Sequence, residues 1–164
     1  MCNIRLVEMT LTDLFNSTEA FHGRKVFASS GVGILEIKYY LMPENSLLVK
    51  STMQGSQDTY TTIMKFSDVP LKKRTKISSS DRERGITELD VSQVKKKINL
   101  IEPVSSNVEV FCNCKSFYWS FNTQNARVDA LYDKSNNIRT ELPIGSPRGF
   151  SPNPTSVPGL CKHL

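Results

Sequence analysis

Two short pairs of potential metal ligands constrain this chain more than any other feature of its sequence. Cys112 and Cys114 form a Cys-x-Cys pair, and after 46 intervening residues Cys161 and His163 form a Cys-x-His pair. Residues at positions i and i+2 of an extended segment point to the same side, so each pair can supply two corners of a tetrahedron. Structural zinc sites bind four nitrogen or sulfur ligands tetrahedrally, and three cysteines with one histidine are a common set. The spacing therefore predicts a structural Zn²⁺ site made by all four residues.

Two alternative roles for these residues remain open. Cysteines are often buried in protein cores without any metal, so the three cysteines could be core residues or free thiols. A disulfide between Cys114 and Cys161 is also conceivable, but it would leave His163 without a role. A zinc clip is favoured because residues 151–160 contain three prolines and are not expected to form regular structure. Such a segment frays unless something fixes it, and a bound metal would do so.

The first part of the chain reads as a helix followed by a β-meander. Residues 9–22 have apolar side chains at helical spacing, with Thr12 as the predicted N-cap. Three segments rich in β-branched and aromatic residues follow at 34–41, 47–53 and 60–66. Short turns of polar residues, proline and glycine separate them, which predicts antiparallel pairing of consecutive strands.

The second part of the chain has weaker patterns. Residues 71–88 are polar and basic and predict a solvated loop or arm. A short helix is predicted over 90–98, beginning at an aspartate cap, and a strand over 107–114. One helix is predicted over 115–132, and residues 133–160 are predicted to be loop.

These patterns together predict an α+β fold. We expect a single domain over residues 1–164, with a helix and an antiparallel β-meander over 9–70. The polar basic loop or arm covers 71–88, and the zinc-binding region covers 107–164. One or two helices should pack with the meander, and the metal should staple the C-terminal region to it.

Composition excludes several functional classes. The chain has 164 residues, a formal net charge of +5 and no apolar run near the roughly 20 residues that span a bilayer. The N-terminus lacks a basic segment followed by an apolar stretch, so we expect synthesis in the cytoplasm without a signal peptide. No metalloprotease, P-loop or nucleophile-elbow motif is present. A zinc ion with four protein ligands has no open position, so we expect no catalysis and no small-molecule substrate.

Basic residues occur in two clusters that allow a nucleic-acid interface. Phosphate contacts need lysine and arginine side chains. The alternative is that both clusters are solvated surface, which is the usual role of a charge run. An acidic protein partner is a third use of the same residues. The clusters consist of Lys72, Lys73, Arg74, Lys76, Lys95, Lys96 and Lys97.

The four predicted ligands resemble the SWIM-type zinc motif, a Cys-x-Cys pair followed by a Cys-x-His pair. Cys112, Cys114, Cys161 and His163 match its four ligand positions. The C-terminal segment 153–164, with the aromatic residues after Cys114, is similar to long-loop forms of this motif in proteins of tailed bacteriophages. Such proteins are often small virion or virion-associated components.

The resemblance implies a structural role in a virus particle. We expect a zinc-stapled protein–protein connector or accessory component of a tailed phage, made in the host cytoplasm and located in the virion. Its partners would be other virion proteins or further copies of the chain, and no membrane. The alternative is a small SWIM-like accessory protein that binds nucleic acid.

Overall fold

A five-stranded antiparallel sheet is the centre of the fold. The computed structural model describes residues 9–19, 32–55, 57–72, 87–99, 101–102, 105–137 and 157–164. The strands are β1 (Gly33–Met42), β2 (Ser46–Gln54), β3 (Thr59–Phe66), β4 (Thr87–Leu89) and β5 (Val108–Cys112). They lie side by side in the order β4-β1-β2-β3-β5.

The first three strands form the meander that the sequence predicts. A 3₁₀ turn at Pro43–Asn45 connects β1 to β2. In the turn between β2 and β3, the Gly55 N–H donates to the Asp58 carbonyl at 2.8 Å. The predicted α+β class and the antiparallel meander are confirmed.

Five helices accompany the sheet in the described part of the chain. The first begins at Thr10, whose hydroxyl accepts the Asp13 N–H at 3.1 Å while the Asp13 carboxylate accepts the Thr10 N–H at 3.0 Å. The cap is therefore Thr10 rather than Thr12, since the reciprocal pair satisfies two backbone donors at once. The helices are α1 (Leu11–Glu19), α2 (Val91–Lys97), α3 (Lys115–Ser120), α4 (Asn122–Arg127) and α5 (Lys134–Asn137).

The predicted single helix over 115–132 is divided into α3 and α4 at Phe121. The end of α4 is set by a Schellman-type bond, in which the Ala130 N–H donates to the Asn125 carbonyl at 2.8 Å. Asp129 takes the left-handed conformation there, with φ 57°. Aspartate tolerates this conformation better than most residues, although glycine is the usual choice.

The predicted loop or arm at 71–88 lies mostly outside the described residues. At its ends, Leu71 makes an isolated bridge to Ile98, and Thr87 and Glu88 lie in β4, paired with β1. Of the predicted loop at 133–160, residues 134–137 form α5 and residues 157–160 have no regular structure.

The core lies around β5 and the helices that follow it. Val110, Phe117, Phe121, Leu14 and Leu131 are almost completely buried. Residues 130–132 lie along the outer edge of β5 and exchange backbone hydrogen bonds with Val110, although they do not form a strand. The two cysteines of the first predicted pair are buried within this core.

Within the described residues, no helix has the length and apolar character needed to cross a membrane.

Candidate metal centre

The four predicted ligands come together in one buried cluster. Cys112 is the last residue of β5, and Cys114 is the N-cap of α3. Cys161 and His163 belong to the C-terminal segment 157–164. One ligand atom from each residue lies within 4.8 Å of the corresponding atom of every other. The four side chains could therefore hold a metal ion.

The separations within the cluster fit a single four-coordinate ion. The Nδ1 atom of His163 lies 3.9 Å from the sulfur of Cys112 and 3.9 Å from the sulfur of Cys161. A tetrahedral zinc ion with ordinary bond lengths would have sulfur–nitrogen edges of about 3.6 Å and sulfur–sulfur edges of about 3.8 Å. Small contractions would bring these donors to bonding distance.

Backbone N–H groups fix the sulfurs of the first pair. The Cys114 N–H donates to the Cys112 sulfur at 3.4 Å, and the Phe117 N–H donates to the Cys114 sulfur at 3.3 Å. Donors of this kind stabilise thiolate charge and orient ligands before a metal binds. The turn from strand to helix therefore prepares half of the site.

Asn113, which stands between the first two ligands, attaches their turn to β3. Its side-chain Oδ1 accepts the Thr61 N–H at 2.9 Å, and its own N–H donates to the Thr61 carbonyl at 3.2 Å. The β3–β5 pairing is thus continued by one further residue beyond Cys112, so the spacing of both cysteines is held by the sheet.

The second pair of ligands is brought to the site by contacts just ahead of it. The Asn125 side chain makes two hydrogen bonds to the backbone of Gly159, at 2.9 and 2.8 Å. The next residue, Leu160, donates its N–H to the Thr18 hydroxyl at 2.8 Å. Helices α1 and α4 thus hold the segment before it reaches Cys161.

His163 is enclosed and has one nitrogen without a visible partner. Its exposed fraction is 5%, and its ring stacks on Tyr60 with centroids 4.2 Å apart. Nδ1 faces the sulfurs, and Nε2 is buried with no hydrogen-bond partner among the described residues. An imidazole buried in this way fits a ligand role better than a solvated surface role.

The three thiols differ in their acidity because they hydrogen-bond to one another. Hydrogen bonds with Cys112 and then Cys161 lower the pKa of Cys114 to about 2, and the Phe117 N–H adds to the effect. The same contacts with Cys114 and Cys161, together with burial, raise the pKa of Cys112. The Cys112 contact lowers the pKa of Cys161, but the Cys114 contact and burial outweigh it and raise that pKa to about 12. The Phe117 N–H therefore favours negative charge on the Cys114 sulfur.

The donor set limits what the site can bind. Thiolates and imidazole in a tetrahedral arrangement suit soft or borderline ions, whereas magnesium and calcium require oxygen ligands. Sequence reasoning found all four donors but missed Tyr60, Asn125 and Thr18, which support them. No local pattern marks those residues, whereas Asn113 was visible as the residue between two ligands.

The structure describes four of the seven predicted basic contact residues. Lys72 lies beside α2, where its backbone N–H donates to the Lys97 carbonyl at 2.9 Å and its ammonium group donates to the Lys95 carbonyl at 2.6 Å. Lys95 and Lys96 are exposed on α2. Lys72 is thus brought next to the three lysines of that helix. Lys73, Arg74 and Lys76 lie outside the described residues.

Comparisons of the chain with protein-family models, with curated proteins and with solved structures found no match.

Proposed function

We propose that this chain is a non-catalytic structural module in which Zn²⁺ fixes the C-terminal segment to the sheet, and that the stapled domain connects other proteins. One observation carries the proposal: three cysteines and one histidine, all buried, bring four donor atoms within 4.8 Å of one another. Four protein donors fill a tetrahedral zinc ion, and a filled ion has a structural role rather than a catalytic one.

Zinc is the best match to these donors among common metals. Its tetrahedral sites use cysteine and histidine in this ratio, and the ion itself is redox-inactive. Binding would also stabilise the fold, because apparent zinc affinities of small cysteine–histidine domains correspond to about 10–16 kcal/mol. The C-terminal segment has no regular structure, so it would benefit most from this energy.

The part of β1 that has no described strand on one side supports a connector role. Strand β4 pairs only with residues 39–41 of β1, and no other described strand pairs with residues 33–38 on that side. Ile34 and Leu35 in this stretch are 62% and 58% exposed. Exposed aliphatic side chains on a strand edge that no described strand covers favour the addition of a strand from another protein or a second copy. A location in a phage particle stays a prediction from the sequence resemblance.

The metal part of the proposal is tested by elemental analysis of the purified protein. We expect one zinc per chain in the wild-type protein and in Cys2→Ser, which changes the one cysteine outside the proposed ligand set. Cys161→Ser should lose most of the zinc and melt at a lower temperature. Full metal content in Cys161→Ser, or none in the wild-type protein, would refute the staple.

The connector part is tested by light scattering across a range of concentrations, alone and with candidate partners. Leu35→Lys places a charge in the part of β1 that β4 does not pair with and should weaken association without changing zinc content. Glu102→Lys is the control, because it adds positive charge at an exposed position outside the sheet. Equal effects of the two variants would argue against an interface at the β1 edge.

A nucleic-acid-binding function is the second candidate, and the position of Lys72 favours it. Its two hydrogen bonds to the carbonyls of Lys95 and Lys97 join residues of both predicted basic clusters in one surface. Lys96→Glu should weaken binding to DNA of any sequence and reduce its dependence on salt. Lys50→Glu, an exposed change on β2, is the matched control. An equal loss in both variants would indicate only a response to net charge.

A further inference from the structure

Strand β3 contacts both halves of the metal centre through two consecutive residues. The Tyr60 ring stacks on the His163 imidazole, with centroids 4.2 Å apart and an angle of 28° between the planes. The next residue, Thr61, makes both of its backbone hydrogen bonds to Asn113, between Cys112 and Cys114. One strand therefore supports the Cys-x-Cys pair through its backbone and the histidine through a side chain.

The position of the Tyr60 ring depends on Gly55 in the preceding turn. A Cβ atom at Gly55 would lie 2.5 Å from Cε2 of Tyr60 and 3.1 Å from the Asp58 carbonyl oxygen. Real Cβ atoms do not approach other atoms this closely, so any larger residue at 55 must displace the ring or the turn. The absence of a side chain at Gly55 thus provides the space in which Tyr60 reaches His163.

The stacked ring restricts how the imidazole can be oriented. His163 follows a segment without regular structure, so the local backbone does not limit its rotamers as a strand or helix would. With Tyr60 against one face, Nδ1 lies 3.9 Å from both the Cys112 and the Cys161 sulfur. Nε2 has no described hydrogen-bond partner that would hold the ring instead.

We propose that Tyr60 is a positioning residue of the metal centre: its ring holds the His163 imidazole with Nδ1 toward the sulfurs of Cys112 and Cys161. This inference rests on the proposed metal-binding function. Tyr60 does not itself coordinate the ion, and the aromatic ring rather than the hydroxyl carries the role. Groups that orient a metal ligand typically change metal affinity by about 10- to 100-fold when they are removed.

The test measures metal affinity by competition with a chelator, using Zn²⁺ and then Co²⁺, whose absorption spectrum reports ligand geometry. Tyr60→Leu should bind either ion at least about 10-fold more weakly and should alter the Co²⁺ spectrum. Tyr60→Phe keeps the ring and should restore both properties. Tyr39→Leu is the control, because Tyr39 also packs on the core, but from strand β1, which does not contact the site.

Gly55→Ala provides a second test that leaves the aromatic ring in place. It should weaken Zn²⁺ binding in the same direction as Tyr60→Leu, whereas Gly33→Ala should not, since a Cβ there comes no closer than 3.8 Å to another atom. If wild-type affinity and the Co²⁺ spectrum persist in both Tyr60→Leu and Gly55→Ala, the positioning role is wrong although the metal site stands. If the wild-type protein binds no metal, both proposals fail.

Discussion

The side chain of Asn125 pairs with the backbone of Gly159, 34 residues later, through two hydrogen bonds. Its Nδ2 donates to the Gly159 carbonyl at 2.9 Å, and its Oδ1 accepts the Gly159 N–H at 2.8 Å. Asn125 has no measurable exposure, so the pair is shielded from competing water. The C-terminal segment is therefore attached at Gly159 by helix α4, and the candidate metal ligands Cys161 and His163 follow two and four residues later.

Asn125→Ala is predicted to destabilise the protein by about 3 kcal/mol. It would leave the buried N–H and carbonyl of Gly159 unpaired, and each such group costs about 1–3 kcal/mol. Urea denaturation of the metal-free and metal-bound proteins measures the change. Asn136→Ala is the control, because Asn136 is exposed and its side chain donates to the neighbouring Asp133. A loss below about 0.5 kcal/mol in Asn125→Ala would show that the segment is held by other contacts.

Gly159→Ala is predicted to destabilise the protein by about 1–3 kcal/mol through overpacking. A Cβ at this position would lie 2.6 Å from the Thr18 hydroxyl oxygen and 2.9 Å from Phe121. Both neighbours are buried, and the Thr18 hydroxyl is engaged with Leu160, so neither can withdraw freely. Thermal unfolding with Gly33→Ala as the control would reveal the difference; equal melting temperatures would mean that α1 can move away from the segment.

Asp13→Asn is predicted to reduce stability at neutral pH but not in acid. Hydrogen bonds from the Thr10 hydroxyl and then the Thr10 N–H lower the pKa of Asp13 below 3.8. A carboxyl group with a lowered folded-state pKa contributes stability above its unfolded pKa, and this stability is lost as pH falls through the folded-state value. The group is largely exposed, so the effect should be small. Urea unfolding of Asp13→Asn and the wild-type protein at pH 7 and near pH 2 should show a stability difference that shrinks in acid.

The meander could be predicted from the sequence because each strand carries its own signal. Residues 34–41, 47–53 and 60–66 are rich in strand formers and separated by turn residues, and they fall inside β1, β2 and β3. Strand β4 has three residues, too few for alternation to show. The break between α3 and α4 at Phe121 could not be predicted, because the apolar stripe continues through it. The end of α4 could not be predicted either, because no glycine or proline marks it.

The Cys/His cluster could be predicted because its four residues form two short pairs of potential metal ligands in the sequence. The residues that support this cluster could not be predicted. The contacts between Tyr60 and His163 and between Asn125 and Gly159 join residues that are far apart in the chain and of common types. A tyrosine in a strand and an asparagine in a helix have many possible partners, and only the fold selects one. The same holds for Lys72, whose place beside α2 depends on the bridge between Leu71 and Ile98.

Metal removal is predicted to loosen the end of the C-terminal segment more than its beginning. The Leu164 N–H donates to the Cys161 carbonyl, at 3.1 Å, within the turn that the ligands would hold. The Leu160 N–H has an independent acceptor in Thr18, and Gly159 has Asn125. Hydrogen exchange with and without a chelator should therefore show a large increase at Leu164 and a smaller one at Leu160.

The expected difference in hydrogen exchange between Leu164 and Leu160 follows from the contacts that each residue keeps when the metal is removed. An amide exchanges when its own unit opens, and the opening energy falls when a ligand that binds only the closed form is removed. At 100 times the dissociation constant, bound metal contributes about 2.7 kcal/mol to the closed form. Cys161→Ser should reproduce the chelator's effect and make the chelator ineffective, while Cys2→Ser should behave as wild type. Equal increases in exchange at Leu160 and Leu164 would instead mean that the whole segment opens as one unit. The hydrogen bonds from α1 and α4 would then be unable to hold it without metal.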